Sequence, residues 1–259
     1  MHLGLSGKKA IVCASSRGLG KGCAIALAEA GCDLIINGRD EVVLMQTAEE
    51  IRAATGVSVI AVAADVSTDR GQAALLEACP EPDILINNNG GPPFRDFREL
   101  DRAAILEGID QNMVTPIELI KKVIDGMCDR RFGRIVNITS SSVYMPIPGL
   151  DLSSGARAGL TSFLAGVART VADRNVTINQ LLPGKMDTDR LTASIKNSAA
   201  QSNTSIEQAT AEMLKQVPAG RMGTAREFGS ACAFLCSAQA GYITGQNLLI
   251  DGGMFPSAF

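Results

Sequence analysis

The sequence predicts an α/β fold in which seven strands form one doubly wound parallel sheet with helices on both faces. Short aliphatic and β-branched runs alternate along the chain with longer stretches of helical periodicity, and Gly31 and Gly56 end two of those stretches. Strands that alternate with helices of this length imply βαβ units. Because such crossovers are right-handed, the helices are expected to cover both faces of the sheet.

The elements are expected in a regular order from one end of the chain to the other. Strands are predicted at 8–14, 33–37, 57–63, 83–87, 134–140, 176–182 and 247–250. Helices are predicted at 18–30, 41–54, 68–78 and 152–173. A long helical region from about 101 to 130 contains Pro116, which is expected to bend or break it.

The stretch 188–216 is unusually polar, with frequent Ser, Asn, Gln and Thr, and is predicted to be a helical excursion from the sheet. Insertions at the carboxyl ends of strands often act as lids, although a solvated pair of surface helices fits equally well. No linker, repeat or low-complexity segment divides the chain, so we predict one domain over 1–259.

Composition excludes several classes of function. Of 259 residues, 46% are hydrophobic and 20% charged, and the net charge of -3 gives no reason to expect nucleic acid or acidic membranes as partners. The apolar runs have strand length, and no secretory signal is visible at 1–9. The seven cysteines form no C-x-x-C pair, which favours buried thiols in a reducing cytoplasm. Since the only histidine is His2, neither a metal site nor a Ser-His-Asp mechanism is expected.

The turn after the first strand is suited to a nucleotide pyrophosphate. It reads Ala14-Ser15-Ser16-Arg17-Gly18-Leu19-Gly20. Glycines between a strand and a helix let the backbone approach phosphate groups, and the helix N-terminus supplies N–H donors and a positive dipole. A glycine pattern alone is weak evidence, but here a strand precedes it and a helix follows. We therefore predict a Rossmann-type dinucleotide-binding domain.

Further motifs join this turn in order along nearly the full chain. They are Asn87-Asn88-Asn89-Gly90, Asn112, the strand 133–140, Pro183-Gly184, Arg221-Met222-Gly223, and 243–246 with Asp251-Gly252-Gly253. As a set they resemble the short-chain dehydrogenase/reductase family, in particular the branch of 3-oxoacyl-acyl-carrier-protein reductases. The resemblance departs at Ala14, where the family has its first glycine, and we expect this change to be mild because Ala is small.

The resemblance implies a cofactor site. Residues 15–20 (Ser15, Ser16, Arg17, Gly18, Leu19 and Gly20) would cradle the phosphates, Asp65 and Val66 would contact adenine, and Asn87 with Gly90 would line the ribose side. Pro183 and Gly184 would meet the nicotinamide, and the residues from Lys185 to Thr188 would lie near its carboxamide.

The second predicted strand indicates which nicotinamide cofactor is bound. NAD enzymes of this fold usually have an acidic residue at the end of that strand to accept from the ribose hydroxyls. Here the strand ends Asn37-Gly38-Arg39, with no acid until Asp40. Arg17 and Arg39 together suit a 2′-phosphate, so we predict NADP(H). Otherwise Arg39 is simply an exposed turn residue.

The catalytic position departs from the family. The resemblance implies a Ser that orients the carbonyl, matched by Ser140, and an Asn that supports a proton-relay water, matched by Asn112. The family's Tyr-x-x-x-Lys, however, is replaced by Ser153-Ser154-Gly155-Ala156-Arg157. A phenol titrates near about 10, whereas an aliphatic hydroxyl is a much weaker acid and is shorter. Arg157 stays charged and can still hold ribose hydroxyls.

Tyr144 is the only nearby phenol, and it is interpreted either as a replacement acid from the opposite wall or as a packing aromatic. The segment 145–150 with Pro92, Pro93 and Phe94 predicts an apolar pocket mouth, better suited to acyl chains or apolar rings than to sugars.

We therefore expect an NADP(H)-dependent oxidoreductase, like 3-oxoacyl-acyl-carrier-protein reductases, that acts on a small-molecule or acyl-thioester carbonyl with an altered proton donor. The alternative is a nucleotide-binding sensor or scaffold that has lost its chemistry. An elimination or isomerisation on the same platform is a third possibility that no residue favours. The resemblance also implies a homo-oligomer, since family members commonly pair their long helices and final strands as dimers or tetramers, and the Ala- and Gly-rich helix at 155–167 suits such an apolar interface.

Overall fold

The computed structural model describes residues 2–92 and 94–257, and its centre is a parallel sheet. Within those residues the sheet has seven strands in the order β3-β2-β1-β4-β5-β6-β7. They are β1 (Lys9–Val12), β2 (Asp33–Gly38), β3 (Val59–Ala63), β4 (Ile84–Asn87), β5 (Gly133–Ile138), β6 (Val176–Pro183) and β7 (Asn247–Ile250). Strand order reverses between β1 and β4, which is where sheets of this kind bind ligands. The predicted fold is confirmed.

The helices lie between the strands as the alternating pattern indicated. They are α1 (Gly18–Glu29), α2 (Glu41–Thr55), α3 (Asp69–Ala78), α4 (Arg102–Ile109), α5 (Thr115–Asp129), α6 (Asp151–Val171), α7 (Asp189–Gln201), α8 (Ile206–Lys215) and α9 (Ala225–Cys236). The predicted ends of the strands and helices differ from the observed ends by at most two residues, and both ends of β7 coincide. The polar stretch forms α7 and α8, whereas α9 was not predicted at all.

The long helical region around Pro116 is divided, but not at the proline. A π-helical turn, Asp110–Val114, separates α4 from α5. Pro116 is the second residue of α5, and the backbone is helical on both sides of it, so its missing N–H leaves a carbonyl one turn earlier without its usual helical donor. The irregularity lies just upstream of the proline, and it contains Asn112.

Side chains of the sheet pack into two apolar layers. Along β1, Ala10 and Val12 face the layer that α1, α2 and α9 cover, while Ile11 and Cys13 face the layer that α3, α5 and α6 cover. This alternation is the period of two that a strand imposes. None of the helices in the described ranges has both the length and the apolar character that a bilayer crossing requires.

Helix α9 packs on α1 through two glycines. A Cβ atom built on Gly22 would lie 2.2 Å from the carbonyl oxygen of Ala225, and one on Gly229 would lie 2.2 Å from that of Gly22. The helix begins with a capping box of Thr224 and Glu227. Arg221 also pairs with Glu227 at 2.6 Å, and this ion pair together with the Thr224 bonds lowers the pKa of Glu227 to about 2.

Candidate active site

The turn between β1 and α1 has the shape that close approach of a phosphate requires. A Cβ atom on Gly20 would lie 2.3 Å from the carbonyl oxygen of Ala14, and Gly18 has a φ of 56°. Ala14 itself has a φ of 43°, in the left-handed region. The expectation that Ala14 is a mild change because it is small is therefore incomplete. The cost lies in its backbone conformation, roughly 1–2 kcal/mol for a residue with a Cβ atom.

Asn37, the penultimate residue of β2, holds this turn in place. Its Oδ1 accepts from the backbone N–H of Ala14 at 3.3 Å, and its Nδ2 donates to the carbonyls of Val62 and Ala64 at 3.0 Å each. Its own backbone N–H donates to the hydroxyl of Ser15 at 3.0 Å. Asn37 was not predicted as a site residue. Its place in the Asn37-Gly38-Arg39 run was the available signal.

A cleft beside the turn contains both arginines predicted for a 2′-phosphate. Its wall combines residues from four places: the connections β1–α1, β2–α2 and β3–α3, and the segment after β4. They are Ala14, Ser16, Arg17, Asn37, Gly38, Arg39, Asp40, Ala64, Asp65, Val66, Asn89 and Gly90. Arg17 pairs with Asp40 at 2.7 Å, and both side chains are about half exposed. Arg39 is exposed and makes no ion pair with another described residue.

A cavity of about 250 Å³ lies at the carboxyl ends of β4, β5 and β6. It brings together most of the residues predicted for catalysis and for the nicotinamide end of the cofactor: Leu19, Gly90, Ser140, Ser153, Arg157, Pro183, Gly184 and Thr188. Phe94, Ile147 and Leu150 form the apolar part of its wall. Pro93, which was predicted for the same wall, lies outside the described residues.

Ser153 and Arg157 occupy one buried face of α6. The Nε atom of Arg157 donates to Ser153 Oγ at 3.3 Å, and Nη1 donates to the carbonyl of Ile138 on β5 at 2.6 Å. Burial, together with the neighbouring positive charge of Arg190, lowers the pKa of Arg157 to about 10. A guanidinium has five N–H donors, so several remain for a bound molecule.

Asn112 and Arg157 both line a second, smaller cavity of about 20 Å³, enough for about one water molecule. Asn87, Thr115 and Arg157 also line it. Asn112 Nδ2 donates to the carbonyl of Gly108 at 3.2 Å. The Oδ1 atoms of Asn87 and Asn112 accept no hydrogen bond from the described residues. The geometry therefore suits a relay water between these amides and Arg157.

Tyr144 is not brought into the central cavity. Its ring stacks on Phe255 with centroids 5.4 Å apart, and the side chain is about two-fifths exposed. Ser140, four residues earlier, does line the cavity and accepts a hydrogen bond from the Ser142 backbone at 3.1 Å. The packing interpretation of Tyr144 is thus the one the contacts favour.

Arg190, on α7, is a site residue that the sequence analysis missed. Its Nη1 donates to the carbonyl of Gly91 at 3.0 Å and its Nη2 to that of Pro92 at 3.1 Å. The side chain lines the central cavity and joins α7 to the segment after β4. No local pattern signals such a contact, because the partners are about a hundred residues apart.

The fold, the turn and the cavity define the class of Rossmann-type dinucleotide-binding proteins. A family model described as enoyl-(acyl carrier protein) reductase matches residues 13–255. The chain belongs to this family, the short-chain dehydrogenases/reductases, as the resemblance predicted.

Individual relatives agree along the whole length. A 3-oxoacyl-[acyl-carrier-protein] reductase FabG of Vibrio cholerae is 35% identical over 257 residues, covering 98% of this chain and 99% of its own. The NADPH-dependent reductase BacG of Bacillus subtilis is 31% identical over 258 residues, covering 98% and 100%. The crystal structure of L-sorbose reductase from Gluconobacter frateurii, complexed with NADPH and L-sorbose, superposes with a TM-score of 0.94 at 26% identity over 99% of this chain and 100% of that one.

Proposed function

We propose that this chain is an NADP(H)-dependent oxidoreductase that reduces the carbonyl group of a small molecule. One observation carries the proposal: the nicotinamide end of the nucleotide site and Ser140 share a single cavity. NADPH, when bound, supplies a hydride to the carbonyl carbon. The residues present fit this cofactor, because the turn at Gly20 leaves no room for a side chain and Arg39 is free for a phosphate.

Each of the residues around the cavities would have a separate role. Ser140 would hold the substrate oxygen, and Arg157 would hold the nicotinamide ribose hydroxyls while it is fixed by its bonds to Ser153 and the Ile138 carbonyl. Asn112 would support a relay water in the smaller cavity. Asp65 and Val66 line the wall proposed for adenine.

The relatives support both the cofactor and the class of reaction. Two of them are named as NADPH-dependent reductases or solved with NADPH, in agreement with the predicted NADP(H). The FabG relatives suggest an acyl-thioester substrate, and the apolar wall formed by Phe94, Ile147 and Leu150 is consistent with an acyl chain. The sensor or scaffold alternative is not favoured, because these relatives are reductases.

The cofactor proposal is tested by calorimetric titration with NADPH and NADH, using wild type, Arg39→Ala and the control Arg70→Ala. Wild type is expected to prefer NADPH. Loss of a charge-assisted bond to the 2′-phosphate in Arg39→Ala is expected to weaken NADPH binding about 10- to 100-fold with NADH unchanged. Arg70 is exposed on α3 and does not line the cleft, so its variant should match wild type. A wild-type preference for NADH contradicts the proposal.

The reaction is tested by following NADPH absorbance with oxoacyl thioesters, ketones and quinones. Substrate-dependent oxidation is expected with at least one class. Tight NADPH binding without oxidation by any of them would instead indicate the sensor alternative.

Three further proposals extend this function. A homo-oligomer is proposed because α6 exposes the apolar side chain of Phe163, which is about half accessible. A cytoplasmic location is proposed because all seven cysteines are unpaired thiols. Helices α7 and α8 are proposed as a lid within one domain spanning the chain, because Leu191 and Ser194 of α7 line the central cavity.

A further inference from the structure

The wall of the central cavity contains an unusual set of ionisable groups. Three of its residues are cationic, namely Arg157, Lys185 and Arg190. Among the described residues that line it there is no Asp, Glu, His, Cys or Tyr. A reduced carbonyl needs a proton on its oxygen, and the serines of this wall are far too weakly acidic to supply one unaided. The donor must therefore come from these three cations or from a group that acts through water.

We propose that Lys185 is the proton donor that replaces the family's tyrosine. The inference rests on the proposed reductase function. Lys185 directly follows the Pro183-Gly184 turn after β6, which is held against the sheet so closely that a Cβ atom on Gly184 would lie 2.6 Å from Cβ of Asp251. The lysine therefore projects from a rigid backbone into the wall that also contains Ser140.

The two arginines are less suitable donors. Arg157 is held by its bonds to Ser153 and to the Ile138 carbonyl, and Arg190 by its bonds to the Gly91 and Pro92 carbonyls. The ammonium group of Lys185 makes no hydrogen bond or ion pair with any other described residue, so its protons are available to a substrate.

Burial favours release of the Lys185 proton, because it lowers the pKa of the half-buried ammonium group from the ordinary lysine value. Arg157 and Arg190 are the other cations that line the cavity. The acid nearest along the chain is Asp187, which is exposed. Glu212, across the cleft between α7 and α8, is paired with Lys215 at 2.7 Å, and the Oδ atoms of Asp251 accept from the backbone of Gly253 and Phe255.

Lys185 also has a route by which it can regain its proton. Together with Leu191 and Ser194 it lines both the central cavity and the polar cleft between α7 and α8. In the proposed step the carbonyl carbon receives the hydride, the C–O π electrons become a lone pair on oxygen, and that oxygen takes one proton from the Lys185 ammonium. The product is an alcohol, and the neutral amine is reprotonated from solvent through the cleft.

The first test measures the pKa of Lys185 without cofactor or substrate. Trace acetylation with acetic anhydride across a pH series, read by mass spectrometry, gives the titration of each lysine amine. Lys185 is expected to titrate below the ordinary lysine value of about 10.4. A Lys185 value at or above about 10.4 overturns the proposal.

The second test separates proton donation from positive charge. Lys185→Arg keeps the charge and loses the acidic ammonium, so kcat is expected to fall about 10²- to 10⁴-fold with NADPH affinity within about twofold. In Lys185→Ala, kcat is expected to fall by a similar factor and to be partly restored by added methylammonium. Lys196→Arg and Lys196→Ala, treated identically, should behave as wild type. An undiminished kcat in Lys185→Arg would contradict donation by Lys185. A kcat of Lys185→Ala that no small amine restores would contradict it as well.

The third readout is the pH profile of kcat. Because donation needs the ammonium form, the wild-type rate should fall as pH rises through the lowered pKa of Lys185, and this limb should disappear in Lys185→Arg. Failure of wild type to oxidise NADPH with every substrate would count against the reductase function itself. The acetylation measurement would still decide the state of Lys185.

Discussion

At the scale of single residues, the contact between Ser153 and Arg157 shows how the site holds a cation where the family's tyrosine and lysine are both replaced. The guanidinium is anchored at two points, to Ser153 Oγ and to the carbonyl of Ile138. A lysine would have one nitrogen for both contacts. In the proposed function the arginine would therefore hold the ribose hydroxyls from a fixed position, and the proton would come from another group.

Restoring the family pair should add a second proton route. In Ser153→Tyr with Arg157→Lys, we expect kcat for carbonyl reduction to rise by up to about 10²-fold, because a phenol beside a lysine ammonium is an effective acid. Adding Lys185→Arg to that double variant should then lower kcat by a much smaller factor than it does in wild type. Steady-state kinetics of the four proteins measure this. An equal loss in both backgrounds would show that the new tyrosine does not reach the substrate oxygen.

Most single site residues could be predicted from the sequence, because the motifs come in a fixed order. Ser140, Ser153, Arg157 and the Pro183-Gly184 turn share one cavity as expected. The strain at Ala14 could not be read from composition, since it depends on a φ of 43°. The stacking of Tyr144 on Phe255 joins distant parts of the chain, which no local pattern reveals.

At the scale of elements, α9 is the helix that the sequence analysis missed. Its contact with α1 is made by Gly22 and Gly229, which contribute nothing to an apolar stripe. The signal that was available is the capping box of Thr224 and Glu227, since Ser or Thr followed three residues later by Glu marks a helix start.

The same contact gives a test of stability. Gly229→Ala places a methyl group 2.2 Å from the carbonyl oxygen of Gly22. The helices must move apart, and we expect a loss of about 1–3 kcal/mol in the free energy of unfolding. Gly126→Ala on α5 is the control, because its methyl group meets only the flexible end of Arg130.

That control should be neutral or stabilising by up to about 1 kcal/mol, since alanine favours a helix. Urea unfolding followed by circular dichroism compares the two variants. An unchanged midpoint in Gly229→Ala would show that α1 and α9 are not in close contact in solution.

At the scale of the whole molecule, the doubly wound parallel sheet was predictable from alternation alone. Right-handed crossovers restrict how successive strands can be placed, so a regular series of strands and helices leaves few arrangements. The oligomeric state could not be predicted in the same way, because one chain shows only which apolar side chains it leaves exposed.

The oligomer proposal is tested through Phe163 of α6, which is 49% exposed. Sedimentation of wild type at micromolar concentration is expected to give a dimer or tetramer. Phe163→Glu puts a charge into the proposed interface and should give a smaller species. Phe97→Glu is the control, because Phe97 is 61% exposed on the short helical turn before α4 rather than on α6. A monomeric wild type would contradict the proposal.

The two hydrogen bonds of Arg190 have a consequence for how a cofactor would enter and leave the cavity. By bonding to the carbonyls of Gly91 and Pro92, the side chain ties α7 to the segment after β4. With α7 as part of the proposed lid, any outward movement of that helix must break both bonds. The residence time of the cofactor would then depend on how often these bonds break, and not only on how tightly the phosphates are held.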